Sequence, residues 1–180
     1  MVIGGIRWSG QQPGSLAGAP SSVAGDFLCS NSQLASLIGG PFDVGGVFDC
    51  SDNQLISLEG APSKVGGDFL CNSNQLTSLD GVLLSIGGSF ECRSNRLTTL
   101  KDIHKKIKQM KGCLNFDDNP LESHVLGVLF VEGCSYFSFY NWKVERIINK
   151  YLPRNQKDKG IHMDCQNELL DAGFEDFAQL

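Results

Sequence analysis

The chain has 180 residues, 41% of them hydrophobic, and a formal net charge of −5. That suits one domain with its own core, or a domain with a small appendage. Residues 1–100 hold eight acids and four bases, and residues 101–180 hold twelve acids and eleven bases, so neither half reads as a nucleic-acid arm. No run of about 18 apolar residues occurs, and Met1–Gly5 lacks a basic start followed by an apolar core, which argues against a membrane-spanning helix and a secretory signal. The expected location is a cytoplasm.

In chain order, the first twenty residues are the least regular. Val2, Ile6, Trp8, Gln11 and Leu16 fall in the positions of a repeat that becomes clear only further on, which predicts a degenerate first coil. From there a 21-residue period governs the chain. Cys29, Cys50, Cys71 and Cys92 are evenly spaced, as are Phe27, Phe48, Phe69 and Phe90. The same step links Leu34, Leu55, Leu76 and Leu97, then Gly25, Gly46, Gly67 and Gly88, then Asn53, Asn74 and Asn95. A period in this range is the mark of a solenoid.

Each column has a physical role. Phe69 and Cys71 are two apart and share one face of a strand, pointing inward, while Asp68, Leu70 and Asn72 point outward. One short strand per coil is expected, parallel to its neighbours. The Asn column follows the strand, where a side-chain amide can satisfy backbone groups left unpaired by the bend. Leu76 and Leu79 are assigned to the far side of the coil. Gly66-Gly67 is expected to turn the chain with a positive φ, and Pro20, Pro41 and Pro62 to stiffen the opposite corner.

After Leu100 the spacing changes. Gly112–Leu121 aligns with the next coil, but Asn119 falls three positions later than a step equal to that from Asn74 to Asn95 would put it. The insertion lies between Asp102 and Gly112. Ile103, Ile107 and Met110 have helical spacing there, which predicts one or two helical turns on the outer face, with Asp102 as the expected N-cap and Gly112 as the stop. Val125–Val131 and Cys134–Tyr140 read as closing strands. A helix is expected over Lys143–Tyr151, with Val144, Ile147, Ile148 and Tyr151 on one face and Pro153 ending it, then a polar loop at 154–160. A second helix is expected over Asp164–Ala172 with Gly173 as its stop, and a last turn over Glu175–Leu180.

The unit Gly-x-Pro-x-x-Val-Gly-Gly-x-Phe-x-Cys-x-x-Asn-x-Leu-x-Ser-Leu, carried nearly letter for letter by residues 60–79, resembles the leucine-rich-repeat proteins of bacteriophage genomes. The ending is similar too, in Ile147–Pro153 and Cys165–Leu180. Residues 1–14 and Val82-Leu83-Leu84 depart from the pattern. The resemblance implies a phage or prophage origin and expression in a bacterial cytoplasm, and says little about activity. The fold class expected is an α/β solenoid: a right-handed leucine-rich-repeat coil with a short-stranded parallel sheet, few helices in the repeats and an α-helical C-terminal cap. Residues 1–124 form the array of about five to six coils, and residues 125–180 the closing strands and cap.

Motifs for chemistry are weak. No Cys-x-x-Cys occurs, and the ladder cysteines stand where an apolar residue belongs, so they read as core thiols of a reducing compartment. Cys113 takes an outward position, and Cys134 has no assigned place. His162-x-x-Cys165 has the spacing of half a zinc site without a second half. Ser51-Asp52-Asn53 lacks the partners that a β-lactamase needs, and the Gly-Gly pairs are periodic corners, not phosphate loops. No enzyme activity, catalytic residue, metal or cofactor is expected.

The variable outward positions are the functional candidates, because packing does not dictate them. Three columns result: Asp26, Val47, Asp68, Ser89, Cys113; then Leu28, Asp49, Leu70, Glu91, Asn115; then Ser30, Ser51, Asn72, Arg93, Asp117. The expected partner-binding residues are Asp26, Leu28, Val47, Asp49, Asp68, Leu70, Asn72, Glu91 and Arg93, joined by Tyr136 and Tyr140 from the aromatic run. Phe137 and Phe139 of that run are expected inside. An exposed apolar pair in an acidic field suits a basic protein surface. The leading expectation is a non-enzymatic adaptor or inhibitor of a host or phage protein, with an anti-defence role as a special case. A virion structural or accessory protein and an acidic nucleic-acid mimic are the alternatives. The lysines at 101, 105, 106, 108 and 111 form one basic patch, read as a solvated helix face.

Overall fold

The computed structural model describes residues 4–8, 14–80, 84–152 and 160–180. The expectations placed on Val2, Gln11, Val82, Leu83, Pro153 and residues 154–159 lie outside these.

The chain coils as a β-solenoid with two parallel sheets. Chain order gives β1 (Ile6–Arg7), β2 (Ser22–Val23), β3 (Phe27–Leu28), β4 (Asp43–Val44), β5 (Phe48–Asp49), β6 (Lys64–Val65), β7 (Phe69–Leu70), β8 (Leu84–Ile86) and β9 (Phe90–Glu91). A four-residue helix α1 (Ile103–Lys106) leads into β10 (Ile107–Gln109), β11 (Cys113–Asn115), a 3-10 turn at Leu126–Phe130 and β12 (Tyr136–Ser138), and the chain closes with α2 (Trp142–Tyr151) and α3 (Ile161–Asp171). One sheet has seven strands in the order β1-β3-β5-β7-β9-β11-β12, and the other five in the order β10-β8-β6-β4-β2. Phe27 pairs with Phe48, Phe48 with Phe69 and Phe69 with Phe90, so the repeat step is the strand register itself. The inserted residues shift the next pairing to Phe90 with Leu114. Ile6 pairs with Phe27, which places residues 4–8 on a first, imperfect coil.

Two strands per coil, not one, is a correction to the sequence reading. The Val column, Val23, Val44 and Val65, lies in the second sheet. Two-residue strands with a single inward side chain leave no alternation to detect. The Gly pairs stand at the bends between the two sheets, as expected, but without the positive φ. Gly45, Gly46, Gly66, Gly67, Gly87 and Gly88 do not have positive φ. A Cβ on Gly66 would overlap the carbonyl of Gly45 one coil earlier, and one on Gly87 would overlap that of Gly66. What requires glycine at these bends is the close approach of backbones in adjacent coils. Left-handed conformations instead follow the strands, at Asn31, Asp52, Ser73, Ser94 and Asp118, and recur at Gly18, Gly39 and Gly60.

The core lies between the sheets. Phe27, Phe48, Phe69, Phe90 and the four ladder cysteines are almost fully buried, with the Leu columns opposite. Rings stack from coil to coil: Phe27 and Phe48 centroids are 5.9 Å apart, Phe48 and Phe69 5.1 Å, Phe69 and Phe90 5.3 Å. The spine continues through Phe116, Phe137 and Phe139 to Phe177 of the C-terminal turn. Each such contact adds roughly 0.5–1.5 kcal/mol to the burial itself. At both ends of the array the large ring moves two positions along the strand: Trp8 and Phe116 occupy the Cys column, while Ile6 and Leu114 pair in the Phe column.

The Asn column behaves as its position predicts. Asn74 Nδ2 donates to the carbonyls of Cys50, Cys71 and Asn72 at 3.1, 3.2 and 3.1 Å, and its Oδ1 accepts from Leu55 N at 3.0 Å. One amide therefore closes its own turn and bonds the preceding coil. Asn53, Asn95 and Asn119 repeat the pattern. Ser32 stands in this column one coil earlier, and its hydroxyl donates to Trp8 O at 3.1 Å.

Four expectations about the C-terminal third are corrected. The helix after Leu100 is one turn, the shorter of the expected lengths, but Ile107 and Met110 are not in it, because Ile107–Gln109 joins the second sheet as β10, paired with β8 through an irregular register. Asp102 does not cap it by a side-chain bond; it takes a left-handed conformation and pairs with Lys105. The segment Val125–Val131 is a 3-10 turn, not a strand, with Leu126, Val128 and Leu129 buried under α1 and α3. Within Cys134–Tyr140 only Tyr136–Ser138 forms the strand. The helices are close to expectation: α2 buries Val144, Ile147, Ile148 and Tyr151, and α3 begins three residues early and stops before Gly173, whose φ is +79°.

Helix α2 does more than cover the core. β12 ends the seven-stranded sheet, and Asn149 occupies its open side: Oδ1 accepts from Phe137 N at 2.8 Å and Nδ2 donates to Phe137 O at 2.7 Å. Glu145, one turn earlier, accepts from Phe139 N at 3.2 Å. These side chains replace the missing next strand and remove a template for edge pairing.

Two substitutions test these contacts. Asn74→Ala strands one buried N–H and several carbonyls, and is expected to lower stability by about 3 kcal/mol in urea denaturation. Asn149→Ala is expected to lower it by about 2 kcal/mol and to raise the tendency to self-associate in size-exclusion chromatography; an unchanged midpoint and an unchanged elution profile contradict the edge-cap role.

Candidate functional site

The seven-stranded sheet presents its outward residues in columns that follow from the register. Asp26, Val47, Asp68, Ser89 and Cys113 stand in one line, and Tyr136, paired with Cys113, extends it. Arg7, Leu28, Asp49, Leu70, Glu91 and Asn115 form the second, extended by Ser138. The third line holds Ser30, Ser51, Asn72, Arg93 and Asp117, with Tyr140 in the same position of the last coil. All eleven sequence-selected residues thus fall on one continuous face. Asp26, Arg93, Tyr136 and Tyr140 are exposed, and Leu28, Val47, Asp49, Asp68, Leu70, Asn72 and Glu91 half-buried.

Not all of them are free of structural duty. Asp26 Oδ1 accepts from Val47 N at 2.8 Å and Asp68 Oδ1 from Ser89 N at 2.7 Å, each reaching the next coil. Asn72 Oδ1 accepts from Arg93 N at 2.8 Å, and Asp49 Oδ1 from Ser51 N at 3.0 Å. Each of the two column-one carboxylates therefore ties adjacent coils through one oxygen. Ser51 is buried and offers little surface.

The face carries five carboxylates, Asp26, Asp49, Asp68, Glu91 and Asp117, against the guanidiniums of Arg7 and Arg93. Among the described residues none of these acids is in an ion pair; the three pairs found there, Lys105–Asp102, Lys106–Asp80 and Lys150–Glu168, lie elsewhere. Burial raises the carboxyl of Glu91 above its usual range, with Asp68 and Asp117 adding to the shift and the Asn115 hydrogen bond and Arg93 opposing it. Asp117 accepts from Ser138 Oγ at 2.9 and 3.0 Å, which joins the last two coils.

The two tyrosines are held in place. Tyr136 Oη donates to Glu145 at 2.6 Å, a bond to the neutral phenol that raises its pKa, and Tyr140 Oη donates to Leu121 O at 2.9 Å. Trp142, 63% exposed, adds a third ring at the start of α2, with Lys143 and Arg146 at 5.8 and 5.9 Å from it. Sequence reasoning did not select Trp142, Glu145 or Asn149. The four-residue spacing of Glu145 and Asn149, which puts both on one helix face, was the available signal.

Chemistry elsewhere is sparse. The ladder thiols are shut away: desolvation pushes Cys29 up to about 12 and raises Cys50 and Cys71 well above the ordinary thiol range. Cys134 and Cys165 are also buried and pushed up to about 12, mainly by desolvation. His162 packs on Phe130, which also meets His104, with centroids 5.4 and 5.6 Å apart. Among the described residues no group of three or more His, Cys, Asp or Glu is placed to hold a metal ion. A recess of about 190 Å³ lies by the Lys106–Asp80 pair, and one of about 380 Å³ runs along the second sheet over Gly45 and Gly66. Neither touches the strand columns. Two of the five patch lysines, Lys105 and Lys106, are already paired with acids.

Comparison with protein-family models, with curated proteins and with solved structures returns no match. The class defined by fold and face is a parallel-strand repeat solenoid in which each recurrence of the Phe and Cys columns adds one turn. No helix among the described residues is long and apolar enough to cross a membrane.

Of the seven cysteines only Cys113 is half-exposed, and the other six are buried. A thiol-specific reagent is expected to modify one equivalent quickly in the native protein, with the remaining six reacting only on unfolding. A Cys113→Ser variant that still reacts quickly contradicts this placement.

Proposed function

We propose that this protein is a non-enzymatic protein-binding module of the leucine-rich-repeat type, acting through its seven-stranded face as an adaptor or inhibitor. The observation that carries the reading is a set of five carboxylates without ion-pair partners among the described residues, set around half-buried Leu28 and Leu70 on one sheet face. Carboxylates left without cations favour a basic partner, and apolar groups beside them supply desolvated area once covered. A frame held by repeated backbone ladders loses little ordering entropy on binding. The resemblance of residues 60–79 to phage repeats supports a phage-encoded protein in a bacterial cytoplasm, with a host protein as the target and anti-defence as one such role.

The test is a pull-down from cells that carry the phage or prophage, comparing wild type with a protein bearing Asp49→Arg and Leu70→Arg. The specific partner is expected to be retained by wild type and lost from the variant, with circular dichroism showing both folded. Identical partner lists from two folded proteins would remove the strand face as the site.

A further inference from the structure

The strand-lined face is long and narrow. Seven strands make six steps of about 4.8 Å, so it runs about 29 Å. Its three outward columns span four residues, about 13 Å. Measured between the outermost rows, the strip is more than twice as long as it is wide, a shape that an extended chain follows along its whole length. Its length matches about nine residues of extended chain at about 3.3 Å each.

Across β3, β5, β7 and β9, about 14 Å of the strip, residue types alternate with the coils. Asp26 and Asp68 flank Val47 in the first column, while Asp49 and Glu91 flank Leu70 in the second. Like groups recur every second coil, about 9.6 Å apart. An extended or polyproline-type chain brings every third residue round at about 9.3–10 Å.

Resting on the protein-binding reading above, we infer that the occupant of this face is an extended, cationic segment of another polypeptide, about nine residues long, with Lys or Arg at every third position and apolar residues between. It lies across the strands. Two successive cations meet Asp49 and Glu91, which stand two coils apart in one column, the second carboxylate oxygens of Asp26 and Asp68 add to the acidic field beside them, and its apolar residues cover Val47 and Leu70.

The probe is a fluorescein-labelled peptide of three Lys-Pro-Leu units, with a block peptide of the same composition as control, titrated with the full chain and read by anisotropy at low and physiological salt. The alternating peptide is expected to bind wild type, to weaken with salt, and to bind several-fold more tightly than the block peptide. Asp49→Lys with Glu91→Lys is expected to weaken it by about tenfold or more, since each reversal turns an attraction into a repulsion. These positions leave the coil-bridging bonds of Asp26 and Asp68 intact, and the variant's fold is checked by circular dichroism. No anisotropy change up to about 1 mM protein, equal affinity for the folded variant, or equal affinity for the block peptide overturns the inference. Loss of the pull-down partner with Asp49→Arg and Leu70→Arg, alongside failure of the peptide, leaves the strand face as a site for a folded partner and sinks only the extended-segment assignment.

Discussion

A two-residue strand has no independent stability, and a single turn of this solenoid cannot bury its own Phe and Cys; each coil exists because the next one covers it. The contact that enforces this is the amide of the Asn column. Asn53, Asn74, Asn95 and Asn119 each donate to a carbonyl of their own coil and to one of the coil before. The same groups accept from the N–H of a Leu in the preceding coil, so the bend after each strand and the spacing between coils are set together. The glycine corners follow from that spacing. Backbones held this close leave no room for a Cβ at Gly45, Gly66 or Gly87.

The outer face inherits its order from the same constraint. With inward positions occupied by Phe and Cys, every second residue must point out, and the register stacks these into columns. Part of the outward chemistry is consumed in holding the stack, as Asp26 and Asp68 show by reaching the next coil's N–H. What remains is a rigid acidic strip with apolar residues in it, bounded at the C-terminal end by Tyr136, Tyr140 and α2. A solenoid needs its last edge closed, and Asn149 and Glu145 close it with side chains. The cap and the end of the candidate face are thus one structure, with Glu145 bonding both the strand edge and the Tyr136 hydroxyl.

How much of this was readable depended on repetition. The Phe, Cys, Leu and Asn columns announced themselves by recurrence, and their inward placement and the longer step to Asn119 followed. The outward columns were legible for the same reason, as the complement of the fixed ones. What happened once, or in two residues, was not. The second sheet shows one inward residue per coil, the Val column, without the Phe-x-Cys alternation that marked the first, the Gly pairs stand at the bends they suggested but close backbone approach leaves no local signature, and Val125–Val131 looked like a strand because a mostly buried 3-10 turn is as apolar as one. Ile107 fitted a helix by spacing but was claimed by the sheet edge at β8, a tertiary pairing that local pattern does not contain, and Met110 follows just past that strand. The Asn149 clasp depends on two separate segments meeting, β12 and the far end of α2.

Each turn is an interchangeable unit one repeat in length, and coil deletion tests this most directly. Removing residues 48–68 joins Val47 to Phe69 in register, and the shortened protein is predicted to unfold cooperatively with a modestly lower midpoint. Removing residues 48–67 leaves one residue too many and turns the inward set of the joined strand outward, which is predicted to abolish cooperative folding. Equal behaviour of the two deletions, whether both fold or both fail, would contradict the interchangeability of the turns.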